Sequence, residues 1–119
     1  MSTMPHYSAN LSAMSGSTVH GTATVYSNGG AQTVNLQISG GTPGATYPWH
    51  IHAGSCADAM APIVGDPQAY TSLGTSGDGT ASLMTTIPAT LSNDRPYHIN
   101  IHASPTTMAT IVACGDLTR

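Results

Sequence analysis

Apolar and polar positions alternate cleanly from Thr18. Val19, Gly21, Ala23 and Val25 fall on one side, and Thr18, His20, Thr22, Thr24 and Tyr26 on the other. Successive side chains of a strand point to opposite faces, so this period of two predicts a half-buried β-strand. Asn28-Gly29-Gly30 then offers residues that accept positive φ, as a tight turn requires. The next stretch alternates again, with Val34, Leu36 and Ile38 inward and Thr33, Asn35 and Gln37 outward. Gly40-Gly41-Thr42-Pro43-Gly44 reads as a loop feeding Pro48-Trp49-His50-Ile51-His52. There Trp49 and Ile51 share one face and His50 and His52 the other. Tyr97-His98-Ile99-Asn100-Ile101-His102 repeats the arrangement, with His98, Asn100 and His102 on its polar face.

Between these paired histidine strands the pattern dissolves. Residues 57–79 hold three Asp, two Pro and four Gly and read as a long loop with one short strand near Ala69–Leu73. A loop of this length inside a small domain is usually functional or a binding element. Thr80–Ile87 is a predicted strand with Ala81, Leu83 and Ile87 inward, and Asn93-Asp94 fits a turn. A last strand is expected over about Ala109–Cys114. Met4, Tyr7, Leu11 and Met14 are spaced by three or four, but Pro5 and the short length oppose a stable helix. Residues 1–15 are therefore read as an arm that packs on the body or on a neighbour, and residues 16–119 as the domain. Six or seven short strands with regular turn signals predict an all-β fold, an antiparallel Greek-key β-sandwich or flattened barrel.

Composition sharpens this. Only 6% of the 119 residues are charged, with five Asp, two Arg, no Lys and no Glu. The missing helix formers argue against surface helices. A formal net charge of -3 provides no basic patch, which argues against nucleic acid as a partner. No apolar run approaches the roughly 20 residues of a membrane-spanning helix. So little charge implies a surface kept soluble by Ser, Thr, Asn and Gln, or one covered by a protein partner in a larger assembly. The first residues lack the basic and apolar regions of a signal segment, so the chain is either cytosolic or lacks that segment here. Cys56 and Cys114 are either a disulfide, which together with the absence of Lys favours export, or two buried thiols.

Neutral imidazole is the commonest metal ligand and suits copper or zinc. Two His-bearing polar faces, one leading directly into a Cys, therefore point to a metal site. In order along the chain, Val19-His20-Gly21-Thr22, Ile38-Ser39-Gly40-Gly41-Thr42-Pro43-Gly44, His50-Ile51-His52, Ser76-Gly77-Asp78-Gly79, His102-Ala103-Ser104-Pro105 and Ala113-Cys114-Gly115 resemble the motifs of the copper/zinc superoxide dismutases, in particular a short bacterial branch of dismutase-like domains. The resemblance covers about residues 18–117. It implies copper ligands at His50, His52 and His102 on the outer face of the barrel, a Cys56–Cys114 disulfide, and a periplasmic or extracellular location.

The chain also departs from that pattern. Residues 57–79 contain no His, so the family's bridging His and zinc ligands have no counterpart, and no zinc is expected. Ile111 stands where the family has the Arg that guides superoxide. Only 11 residues separate His102 from Cys114, too few for the charged guiding loop. His98 and His20 are further candidate ligands. His98 lies about 13 Å along its strand from His102, too far to share one ion unless the neighbouring strand runs back past it, and reads as a surface residue. His6 cannot be placed. The expected function is a dismutase-like domain without activity or with weak activity, binding copper through three histidines, serving as a structural docking subunit, or both. The alternative is a copper-only superoxide dismutase.

Overall fold

The computed structural model describes residues 6–58, 60–92 and 94–119. It is all-β, with nine strands among these residues: β1 His6–Ala13, β2 His20–Asn28, β3 Ala31–Ser39, β4 Thr46–Tyr47, β5 Trp49–Ala53, β6 Leu73–Gly74, β7 Ala81–Ile87, β8 Tyr97–His102 and β9 Ile111–Asp116. Seven form one curled antiparallel sheet in the order β5-β8-β9-β1-β2-β3-β7, and β4 and β6 pair separately. The return of β9 to lie beside β1 is a Greek-key connection. No helix of the described residues is long and apolar enough to cross a membrane.

Within the segment read as an arm, residues 6–13 join the body as a strand. His6–Ala13 is the strand on which the sheet folds over, pairing with β2 from His6↔Tyr26 to Leu11↔Gly21 and with β9 at Ser12↔Cys114 and Ala13↔Ala113. Tyr7, Ala9 and Leu11 are buried while His6, Ser8 and Asn10 are exposed. The inward period of two therefore prevails over the three-four spacing of Tyr7, Leu11 and Met14. Residues 1–5, which include Met4 and Pro5, lie outside the described residues, as does Asn93 of the expected turn.

The curl brings the inner faces of β2, β3 and β7 against those of β5, β8 and β9. Val25, Val34, Leu36 and Ile87 from one half meet Trp49, Ile51, Ile99 and Ile101 from the other in a single cluster. The β2–β3 hairpin turns at Gly29, φ +61°, as its Asn-Gly-Gly sequence predicts. Gly40 ends β3 at φ +73°, and a Cβ there would collide with the Thr18 carbonyl. Only glycine fits that close left-handed approach without strain.

The long segment after β5 is ordered by its own backbone bonds. Val64 N–H donates to the Ile51 carbonyl at 2.8 Å and Ala53 N–H to the Pro62 carbonyl at 2.9 Å, so Ile63 pairs with His52. This covers the free edge of β5, which would otherwise expose unpaired backbone groups. The strand expected near Ala69–Leu73 is instead a 3-10 turn, Pro67–Ala69, followed by the two residues of β6. Asp66 caps that turn by accepting from Gln68 N–H at 2.9 Å, and Pro at its first position suits it.

Candidate metal centre

β5 and β8 pair in the register His50↔Asn100 and His52↔His98. Their tryptophan and isoleucines take the core face, so His50, His52, His98 and His102 all lie on the opposite face. β9 adds Cys114 and Asp116 to that face, opposite Asn100 and His98. The sequence alternation thus placed the four rings on the outer side of the sheet, as expected. It did not anticipate that this side is covered. His50, His52, His98 and His102 are only 4%, 8%, 1% and 5% exposed.

Two segments provide the cover. Residues 54–58 and 60–72 cross the face, held at their start by the Cys56–Cys114 disulfide, whose Cα atoms are 6.1 Å apart. Asp116 reinforces that tether by accepting from Cys56 N–H at 2.7 Å. Tyr70 packs edge-on against Trp49 and His50, both at 5.0 Å between ring centroids, and donates its hydroxyl to the Val64 carbonyl at 2.6 Å. Burial pushes the Tyr70 phenol up to about 12, so it stays protonated. The Trp49 indole N–H is satisfied by the Thr71 carbonyl at 2.7 Å. The second segment, residues 103–110, covers His102.

His50, His52 and His102 converge, each offering a ring nitrogen within 4.8 Å of the others. Among the described residues this is the one group of three or more His, Cys, Asp or Glu side chains with metal-binding spacing. Two of the rings give their other nitrogen to a backbone carbonyl: His52 Nδ1–H donates to Ala61 at 2.9 Å and His102 Nδ1–H to Met108 at 2.7 Å. A carbonyl can only accept, so these bonds fix the tautomers and leave the lone pairs of His52 Nε2 and His102 Nε2 at the cluster. His52 Nε2 is buried with no hydrogen-bond partner. His50 Nδ1 lies 3.0 Å from His102 Nε2, and with no metal bound its N–H donates to that nitrogen.

A buried acceptor without a partner is unfavourable in a neutral pocket. A proton is a poor remedy here. Burial, then the His102 and His52 charges, lowers His50 from 6.5 to about 4, against the Pro67 carbonyl that raises it. Burial likewise lowers His52 and His102, opposed by the Ala61 and Met108 carbonyls. The rings are therefore neutral at pH 7, the form that binds metals. The 3.0 Å separation suits two bonds of about 2.0 Å to one ion. The donor set fits a metal ion.

The other candidates stand apart. His98 is not a surface residue. β5 runs back past it, so it stacks on His52 with centroids 5.1 Å apart and planes 11° apart. Its Nδ1–H donates to the Gly54 carbonyl at 2.9 Å, and it does not join the three-ring cluster. His20 is exposed on β2 beside the Thr18 carbonyl, 3.1 Å away. His6 opens β1 with its ring 6.1 Å from that of Tyr26. No protein-family model matches the chain, and no curated protein is found similar to it.

A cavity of about 290 Å³ reaches the centre from outside, with His52, His102, Asp58, Asn100, Met14 and Met108 in its wall. Sequence reasoning missed the two methionines and Tyr70. Met14 and Tyr70 lie in segments whose partners are remote in sequence, and no local pattern marks them.

Proposed function

We propose that the protein is an exported, dismutase-like copper-binding domain, in which His50 Nδ1, His52 Nε2 and His102 Nε2 hold one copper ion with no zinc site beside it. The unpartnered, buried His52 Nε2, within 4.8 Å of ring nitrogens of His50 and His102, carries this reading. Imidazole donors suit copper, which heads the affinity order of the divalent first-row metals. Bound copper would supply one-electron chemistry. The chain's own part is to present three neutral rings, two of them oriented by the Ala61 and Met108 carbonyls, and to keep bulk water from them with Tyr70 and the disulfide-tethered segment.

Catalysis of superoxide dismutation is weak or absent on this reading. The cavity wall contains Asp58 and no Lys or Arg, so its field disfavours an anion. A role as a docking subunit is compatible with copper binding and is supported by the sparse charge and by the exposed Met84 on the edge strand β7. Elemental analysis of the purified protein, followed by copper titration of the wild type and of His52→Ala, tests the centre. One copper per chain, with affinity reduced at least 100-fold in the variant, is expected. Undiminished binding by a His50/His52/His102 triple alanine variant would place the site elsewhere.

A further inference from the structure

None of the described methionines joins the hydrophobic core. Two of them stand instead in the wall of the cavity that leads to the rings. Met14 follows β1, and its N–H donates to the Val112 carbonyl at 2.9 Å, which continues the β1–β9 register and sets Met14 on the same face as Cys114. It is 39% exposed. Met108 is anchored at the ligand itself, since its carbonyl accepts from His102 Nδ1 at 2.7 Å. Two methionines thus share one cavity wall with two imidazoles whose Nε2 lone pairs belong to the centre. Asp58 adds a negative charge to the same wall.

Thioether sulfur is a soft donor that prefers Cu(I) over hard or borderline divalent ions. A hard divalent ion gains little from such a wall. A monovalent d10 ion could exchange its carrier ligands for sulfur there before the imidazoles take it. We infer that Met14 and Met108 form a thioether mouth that selects Cu(I) and passes it to His102 and His52. The inference rests on the proposed copper centre and adds to it the oxidation state of the ion received and two residues that receive it.

Ag(I), a redox-inert mimic of Cu(I), is the probe. The disulfide-intact, full-length protein carrying [methyl-¹³C]methionine is titrated with Ag(I) and followed by NMR. The Met14 and Met108 methyl signals should shift with the first equivalent while Met84, exposed on β7, stays in place. The Met14→Leu/Met108→Leu variant keeps side-chain volume, a swap that cores tolerate well. It should bind Ag(I) at least about tenfold more weakly and Zn(II) within twofold of wild type. Ag(I) affinity within twofold of wild type, or equal shifts at Met84, would overturn the mouth while leaving the three-His centre intact. Failure of the wild type to bind Ag(I), Cu(II) or Zn(II) would overturn the centre itself, and the mouth with it.

Discussion

Acidification should destabilise the metal-free protein within a defined window. His50 is 4% exposed and its pKa lies at about 4 in the folded protein, against 6.5 for the free side chain. Between those values the unfolded chain takes up a proton that the folded chain refuses. Stability therefore rises with pH in this window and is lost as pH falls from 6.5 towards about 4, with little change above about 7. The full difference corresponds to about 3 kcal/mol. Relaxation of the folded chain around a charged ring lessens this, and brings the expected loss to about 1–3 kcal/mol. His52 and His102 are lowered in the same direction by burial. The three rings are coupled, so their contributions do not simply add. Asp78 and Asp94 are held below the usual carboxylate range, mainly by the Ser76 and Ser92 hydroxyls, so their contribution is lost only below about pH 4. The assay is urea unfolding in chelator at pH 7.5, 6.5, 5.5 and 4.5 with the disulfide intact. With a slope of about 1–3 kcal/mol per molar urea, the midpoint should fall by about 1 M over that range. His50→Gln should flatten the profile. A midpoint that stays level or rises on acidification would mean that the rings ionise freely in the folded state, and the case for buried neutral ligands would fail.

Reducing the Cys56–Cys114 bond, which spans a sequence separation of 58, should cost about 4 kcal/mol on the chain-entropy account, read as a lower urea midpoint. A loss under about 1 kcal/mol would show that the bond does not restrain the unfolded chain. His98→Leu should lower stability by about 1–3 kcal/mol, because the Gly54 carbonyl loses its donor, yet change copper affinity less than about threefold. A tenfold loss of affinity would make His98 part of the centre. Pulse radiolysis of copper-loaded protein should find dismutation absent or far below the diffusion limit at low and moderate salt. A rate near that limit, abolished by His52→Ala, would establish a copper-only dismutase instead.

Period-two alternation in Trp49–His52 and Tyr97–His102 was enough to put His50 with His52, and His98 with His102, on polar strand faces. The β2–β3 hairpin was equally legible, because its apolar face and its Asn28-Gly29-Gly30 turn are both local signals. β1 was legible in principle, since Tyr7, Ala9 and Leu11 alternate with His6, Ser8 and Asn10. Ala9 contributes little hydrophobicity, however, and the three-four spacing competed with it. What covers the histidines was not legible. Residues 57–79 have no period, and their conformation follows from bonds to β5, from the Tyr70 ring and from a disulfide to a strand 58 positions away. The choice among the rings also depended on tertiary structure. A strand presents His52 equally to His98 and to the far end of the sheet. Only the β5–β8 register and the carbonyls of Ala61 and Met108 decide which lone pairs converge. Those carbonyls belong to every residue type alike, so nothing in the sequence marks which of them will meet an imidazole.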